Sequence, residues 1–187
     1  MTNANLHNYD RREGDFYPTL EAHRVISVLD QFWPISGLVL EPAAGDGALV
    51  AELDALDDVT RVLASDIHPA GPGIAGCDLF DLQADSEIDH VITNLPFRGM
   101  DMMILHLLDL YPHAAHAYLV RAGYLFPKVR GEVIHSNPRF AGVIGFTKRL
   151  KWFEHGTGSP AVDYVWLCYG PKNAAPSRAF IKFEGAE

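Results

Sequence analysis

The segment Asn94–Phe97 combines four residue types that can act together on an amino group. It follows a short apolar run that predicts a β-strand. The side-chain oxygen of Asn94 and the backbone carbonyl of Leu95 can each accept a hydrogen bond from one amino nitrogen, and preorganised acceptors stabilise the positive charge that develops during attack by that nitrogen. Pro96 stiffens the turn, and Phe97 offers a face for stacking. The segment indicates chemistry on an amino nitrogen of a planar group; the structural alternative is a strand-end turn with a buried phenylalanine.

A glycine-containing loop follows the first predicted strand within Leu38–Leu53, with the pattern E-P-x-x-G-x-G. Gly45 and Gly47 allow the backbone to approach a ligand at the start of the next helix. The pattern differs from the G-x-G-x-x-G of nicotinamide and flavin sites. Glu41 and Asp46 surround the loop with negative charge, which favours a cationic ligand over a phosphate. A purely structural turn is the alternative.

Two further acidic residues follow predicted strands. Asp66 ends the second strand, 25 residues after Glu41, where an acidic side chain meets ribose hydroxyls in doubly wound folds. Asp78 lies near the end of the third strand and is suited to accept a hydrogen bond from the amino edge of a purine. Either residue alone could be a turn residue or a helix cap. Acidic residues at three successive strand ends together favour a nucleoside-containing ligand.

The other reactive side chains form no recognised catalytic or metal-binding pattern. The nine histidines include His113 and His116, but no H-E-x-x-H or comparable spacing occurs, so no metal is expected. The sequence Gly-Thr-Gly-Ser-Pro lacks the G-x-S-x-G elbow of a hydrolase. The two cysteines, Cys77 and Cys168, are far apart and outside any C-x-x-C pair, which predicts buried, reduced thiols.

Alternating strand-like and helix-like segments position these residues. Such alternation predicts a doubly wound, mostly parallel α/β sheet, and the last two strands follow each other without a helix, which predicts an antiparallel ending. The predicted helices are Leu20–Phe32, Asp46–Leu56 and Met102–Leu110. The predicted strands are Leu38–Leu40, Arg61–Ile67, His90–Thr93, Ala117–Val120, Ala141–Phe146 and Tyr164–Tyr169. Within the last strand, Tyr164 and Trp166 share a face and are expected in the core.

The charge is distributed unevenly along a chain with a formal net charge of −9. Residues 1–120 carry 5 basic and 19 acidic side chains, whereas residues 121–187 carry 10 basic and 5 acidic ones. A basic C-terminal third can present an attractive face to a phosphate backbone, although a solvated surface without a partner is equally compatible. The side chains that would form this face are Arg121, Lys128, Arg130, Arg139, Lys148, Arg149 and Lys151.

The length of 187 residues predicts a single domain spanning residues 1–187, with residues 1–15 as a flexible N-terminus. No apolar run approaches the ~18 residues of a membrane span. The first ten residues lack the apolar core of a signal peptide, so a cytoplasmic protein is expected.

The loop and the Asn-Leu-Pro-Phe segment together resemble the S-adenosylmethionine-dependent methyltransferases of the Rossmann-like class. The resemblance is greatest to their amino-group branch, the adenine-N6 methyltransferases of DNA and RNA, and it covers residues 16–169. Phe16–Thr19 is similar to an F-x-T-P-like element that contacts the methionine end of the cofactor, with Pro and Thr exchanged. Asn94–Phe97 is similar to the catalytic [ND]-P-P-[FYW], with Leu95 in place of the first proline. Ribosomal-RNA adenine dimethylating enzymes carry N-L-P-Y or N-I-P-Y, so this departure also points toward RNA.

The resemblance implies a seven-stranded Rossmann-like methyltransferase sheet with an antiparallel C-terminal strand, and S-adenosyl-L-methionine as cofactor. It implies that the catalytic residues are Asn94, Leu95, Pro96 and Phe97. It implies that the cofactor-binding residues are Tyr17, Pro18, Thr19, Glu41, Pro42, Ala43, Gly45, Gly47, Asp66, Ile67, Asp78, Leu79 and Asn94.

The implied function is methyl transfer to an exocyclic amino nitrogen, adenine N6 of DNA or RNA above all. Such a nucleic-acid substrate would bind through the basic C-terminal third, and a partner subunit could supply target recognition. Two alternatives stay open: a protein glutamine-amide N-methyltransferase, since the same two acceptors would hold that amide, and a non-catalytic cofactor-binding subunit that serves a partner enzyme.

Overall fold

A computed structural model describes residues 19–126, 128–131, 134, 136–151, 162–174 and 179–186. The predicted flexible N-terminus, residues 1–15, lies outside the described residues. The strands are β1 (Gly37–Glu41), β2 (Val59–Asp66), β3 (Ala75–Gly76), β4 (His90–Thr93), β5 (Ala115–Arg121), β6 (Phe140–Gly145), β7 (Tyr164–Tyr169) and β8 (Phe180–Phe183). The α-helices are α1 (Ala22–Phe32), α2 (Ala48–Asp54) and α3 (Met100–Leu110), and short 3₁₀ turns cover Leu79–Asp81, Ala122–Leu125 and Lys128–Arg130.

The eight strands form one sheet in the order β3-β2-β1-β4-β5-β7-β6-β8. All pairings are parallel except those of β7, which runs antiparallel to both β5 and β6. The predicted doubly wound, mostly parallel sheet with an antiparallel ending is confirmed. The strand count differs by one, because β8 adds a parallel edge strand beside β6. This strand has only four residues, and its Ile181 and Phe183 side chains are exposed, so it lacks the buried apolar run that marks the inner strands.

Helices cover both faces of the sheet. Because successive side chains of a strand point to opposite sides, the inner strands are buried on both faces. In β4, Val91 packs into the cluster that contains α3, and Ile92 packs into the cluster formed with α1 and α2. Trp166 of β7 is fully buried on the second side and donates a hydrogen bond from its indole nitrogen to the carbonyl of Val25 in α1, at 3.1 Å. Tyr164 lies on the same face and is also buried, which confirms the expected core positions of these two aromatic residues.

Glycine conformations set two helix starts that differ from the sequence prediction. Helix α2 begins at Ala48 rather than Asp46, because Gly47 adopts a left-handed conformation with φ of 86°. Helix α3 begins at Met100, directly after Gly99, which has φ of 77°. Few residues other than glycine adopt such angles without strain, so each glycine ends a loop and starts a helix.

Two expectations about individual side chains are corrected. Cys168 is a buried thiol as predicted, and burial raises its pKa, but Cys77 is only half-buried. Arg139 does not belong to the basic surface: it is buried, and its guanidinium donates hydrogen bonds to the backbone carbonyls of Leu108, Ala114 and Gly170. A cation with three carbonyl partners holds the end of α3 to the sheet and is not available to a phosphate backbone.

Within the described ranges, none of the helices is long and apolar enough to cross a membrane.

Candidate functional site

A cavity of about 420 Å³ opens where β1, β2 and β4 end. This is the edge at which doubly wound sheets bind ligands. It brings together most of the residues predicted for the cofactor and for catalysis. These are Thr19, Glu41, Pro42, Ala43, Gly45, Asp66, Ile67, Asp78, Leu79, Asn94, Leu95, Pro96 and Phe97. Gly47 does not line the cavity but starts α2 beside it, and Tyr17 and Pro18 lie outside the described residues.

Glu41, the last residue of β1, places a fully buried carboxylate against the cavity. Neither carboxylate oxygen has a hydrogen-bond partner among the described residues. Burial raises the pKa of Glu41 to about 8, and the nearby Thr93 hydroxyl and Ala43 amide oppose the shift without closing a hydrogen bond of normal geometry. An unpartnered buried carboxylate is costly, and a cationic ligand group beside it would remove that cost.

Asp66 fixes the glycine loop from the neighbouring strand. Its two carboxylate oxygens accept hydrogen bonds from the backbone N–H of Gly45, at 2.8 Å, and of His68, at 2.7 Å. The φ of 54° at Gly45 turns the loop so that its amide can reach Asp66. Asp66 therefore supports the loop that lines the cavity, and its carboxylate oxygens keep lone pairs that can accept further hydrogen bonds.

Asp78 also combines a structural contact with a position at the cavity. Its side chain accepts a hydrogen bond from the backbone N–H of Phe80, at 3.0 Å, and so caps the turn Leu79–Asp81. The turn presents Leu79 and Phe80 to the cavity, and Phe80 remains 44% exposed. With the exposed Ile67, these side chains form apolar walls suited to a flat heterocycle.

Asn94 is oriented by Thr19, 75 positions earlier in the sequence. Its side-chain nitrogen donates to the hydroxyl of the buried Thr19, at 3.3 Å. An amide whose nitrogen is engaged in this way keeps its oxygen as an acceptor. This is the orientation that the predicted role of Asn94 requires, and Leu95, Pro96 and Phe97 line the same part of the cavity.

Phe97 is held by a cation from the end of β5. The Arg121 guanidinium lies over the Phe97 ring, 3.9 Å from its centroid, and its Nε donates to the hydroxyl of Tyr164 at 3.3 Å. Phe97 and Tyr164 both line the cavity. One face of the predicted stacking residue is therefore occupied by Arg121.

Several lining residues were not predicted from the sequence. They are Ala44, Ala48, Leu49, His68, Ala70, Phe80, Met103 and Tyr164. Most are neighbours of predicted residues in the same loops, so extending each loop by one or two positions would have found them. Tyr164 has no local signal: it reaches the site because β7 pairs antiparallel with β5, which sets Tyr164 opposite Arg121.

The described histidines do not indicate a second catalytic or metal-binding site. In the described part of the chain, no group of three or more His, Cys, Asp or Glu side chains is placed to hold a metal ion. His116 is buried, with one ring nitrogen 2.7 Å from the Tyr118 hydroxyl and the other 3.0 Å from the carbonyl of Tyr111. Burial lowers the pKa of His116 to about 3, so its ring is neutral and structural.

No protein-family model and no curated protein matches this sequence. Solved structures do match its fold. The methyltransferase subunit of a type I restriction-modification system from Streptococcus thermophilus is 10% identical, with a TM-score of 0.62 over 84% of this chain and 45% of that one. A Listeria monocytogenes protein assigned to the class I S-adenosylmethionine-dependent methyltransferases is 16% identical, with a TM-score of 0.60 over 90% of this chain and 66% of that one.

A third structure is more similar in length. A Pyrococcus horikoshii protein assigned as an RNA methyltransferase is 14% identical, with a TM-score of 0.59 over 80% of this chain and 83% of that one. The chain thus spans 45% and 66% of the first two proteins but most of the third. At these identities the likeness concerns the fold. The chain has the Rossmann-like fold of S-adenosylmethionine-dependent methyltransferases.

Proposed function

We propose that this protein is an S-adenosylmethionine-dependent methyltransferase that acts on an exocyclic amino nitrogen, adenine N6 of DNA or RNA. The observation that carries the proposal is one shared cavity. An unpartnered buried carboxylate, Glu41, and an amide held with its oxygen as acceptor, Asn94, line the same space. This space would then bind a cationic cofactor and a target amine side by side, which methyl transfer from a sulfonium donor to nitrogen requires.

The residues present fit S-adenosylmethionine. Glu41 would face the cationic amino-acid end, since its carboxylate lacks a partner among the described residues. Asp66 would accept hydrogen bonds from ribose hydroxyls, and the apolar walls at Ile67 and Phe80 would enclose the adenine, with Asp78 near its amino edge. When bound, the cofactor supplies an electrophilic methyl group.

The chain's own residues prepare the acceptor nitrogen. The Asn94 oxygen and the Leu95 carbonyl accept hydrogen bonds from the target amine, which draws its lone pair out of conjugation with the ring and stabilises the positive charge that grows on nitrogen. Pro96 fixes the turn that aims both acceptors, and Phe97 offers its ring to the target base. The proton lost from nitrogen passes to solvent.

Nucleic acid is the proposed substrate, and exposed cations of the C-terminal third support it. Lys148, Arg149 and Lys151 are exposed, although Arg149 pairs with Asp163 at 2.8 Å. The structures with this fold include a restriction-modification methyltransferase subunit and a protein assigned to RNA methylation. A partner subunit for target recognition and a cytoplasmic location belong to the same proposal.

Transfer of an isotope-labelled methyl group to separate DNA, RNA and protein fractions tests the function. We expect label in nucleic acid, and mass analysis of its hydrolysate should identify N6-methyladenine. Label in a glutamine amide would overturn the substrate and retain the amino chemistry. Cofactor binding without transfer to any fraction would leave the chain as a non-catalytic subunit, and no cofactor binding would overturn the proposal.

A further inference from the structure

Arg121 has a fixed orientation beside two residues that line the cavity. Its guanidinium stacks on Phe97, 3.9 Å from the ring centroid, and its Nε–H is directed to the Tyr164 hydroxyl. The side chain is nevertheless exposed. Two contacts that restrain a long side chain lower the entropy lost when it binds a further group.

The same guanidinium has no carboxylate partner among the described residues. The carboxylate nearest in sequence to Tyr164 is that of Asp163, and it pairs with Arg149 instead. Arg130, which likewise stacks on an aromatic ring, is paired with Asp101. Arg121 thus combines a stacked, oriented guanidinium with an uncompensated charge, in a protein whose net charge is −9.

The position of Arg121 next to the cavity indicates which group of a ligand it could bind. Phe97 and Tyr164 line the cavity, and Arg121, which does not, stacks on the Phe97 ring and donates to the Tyr164 hydroxyl. A nucleotide whose base enters the cavity leaves its phosphate at the rim. The guanidinium N–H groups not used by Tyr164 match the paired oxygens of a phosphate.

Resting on the proposed function, we infer that Arg121 binds the phosphate that adjoins the target adenine, and that nucleic acid rather than a protein amide is the substrate class of this cavity. A glutamine side chain brings no anion to the rim, so Arg121 would gain no partner from it. The stacking couples phosphate binding to base binding, because Arg121 contacts the phosphate and also supports the Phe97 ring that contacts the base.

A salt titration tests the phosphate contact independently of catalysis. Wild-type protein and Arg121→Ala are titrated against fluorescein-labelled 20-nucleotide DNA and RNA strands, each single-stranded and as a duplex, with S-adenosylhomocysteine present, between 50 and 200 mM KCl. Loss of one phosphate contact should lower the slope of log K against log salt by about 0.7 for single strands and 0.9 for duplex DNA. At 50 mM KCl the affinity should fall at least threefold, and Arg121→Lys, which keeps the charge, should restore the slope.

Arg61→Ala is the matched control, because Arg61 is also an exposed arginine but lies near the start of β2, away from the cavity edge. Its slope should equal that of the wild type. Calorimetry of S-adenosylhomocysteine should show unchanged binding in all variants.

A neutral linkage locates the phosphate. In the oligonucleotide that the transfer assay identifies as substrate, a methylphosphonate beside the target adenine should raise KM for the wild type by about the same factor as Arg121→Ala does, and should have no added effect in that variant. Unchanged slope and KM in Arg121→Ala, with a wild type that methylates the oligonucleotide, overturn this inference alone. A wild type that transfers no methyl group to nucleic acid overturns the proposed function together with it.

Discussion

The two halves of the cavity differ in charge and in how they are built. The acidic half consists of Glu41, Asp46, Asp66 and Asp78, which lie at or just after the ends of β1, β2 and β3. The amide half consists of Asn94, Leu95, Pro96, Phe97 and Tyr164, and these five described residues include no carboxylate. Arg121 stacks on Phe97 of the amide half. A cationic cofactor can therefore bind beside the acidic half while a polyanionic substrate binds beside the amide half and Arg121.

The contacts that support each half also differ. Asp66 and Asp78 each accept a hydrogen bond from the backbone N–H two residues later, and Asp66 also accepts one from Gly45 of the adjacent loop, so the acidic half is organised by contacts with the backbone. In the amide half, Asn94 depends on Thr19 and Phe97 on Arg121, which come from other elements of the fold. We therefore expect changes in the acidic half to act on cofactor affinity and stability, and changes in the amide half to act on the rate of transfer.

The largest expected effect is on transfer, in Asn94→Ala. Removal of one preorganised acceptor should lower kcat by about 10²–10³-fold, while cofactor affinity stays within about twofold. Initial rates and calorimetry measure the two quantities. Asn94→Asp keeps an acceptor and should lose less activity. Full turnover by Asn94→Ala would reduce Asn94 to a turn residue.

The next effect concerns stability, in Glu41→Gln. The pKa of Glu41 is raised to about 8, so the folded state holds a proton that the unfolded state releases near pH 4.5, and wild-type stability falls as pH rises through 8. The variant should be more stable than the wild type by about 2–4 kcal/mol at pH 9 and by little at pH 5. Urea unfolding at both pH values measures this difference.

The control for Glu41 is Glu87→Gln, because Glu87 is exposed. That variant should follow the wild type at both pH values. An equal change of stability at pH 5 and pH 9 in Glu41→Gln would contradict the buried, unpartnered carboxylate.

A smaller effect is expected on cofactor affinity, in Asp66→Ala. Binding should weaken by about 1.5–3 kcal/mol, because hydrogen bonds to the ribose are lost and the amide of Gly45 loses its acceptor. Calorimetry with S-adenosylmethionine measures the change. Undiminished binding would remove Asp66 from the cofactor site.

The smallest effect is expected in Thr19→Val, which keeps the shape of the side chain and removes the acceptor for Asn94. Loss of one hydrogen bond that orients the amide should lower kcat by about threefold to tenfold and leave cofactor affinity unchanged. Thr19→Ser should retain the rate. Equal rates in both variants would show that Asn94 is oriented by other contacts.

The sequence was most informative where the signals are local. Strands β4 and β7 have the predicted bounds, since each is an uninterrupted buried run, and both loops of the cavity carry the predicted residues. The exposed edge strand β8 was missed because it lacks that pattern. The Thr19–Asn94 contact and the place of Arg121 against Phe97 and Tyr164 depend on strand order and pairing, which no local pattern specifies.

The most direct test of the acidic half compares two cofactor analogues. S-adenosylhomocysteine carries the cationic amino-acid end, and 5′-methylthioadenosine lacks it but keeps the adenosine. Calorimetry should show that Glu41→Gln weakens binding of the first by at least about tenfold, the value of one charge-assisted contact, and changes binding of the second by less than about twofold. An equal effect on both ligands, or no binding of S-adenosylhomocysteine by the wild type, would contradict the assignment of this cavity to a cationic nucleoside cofactor.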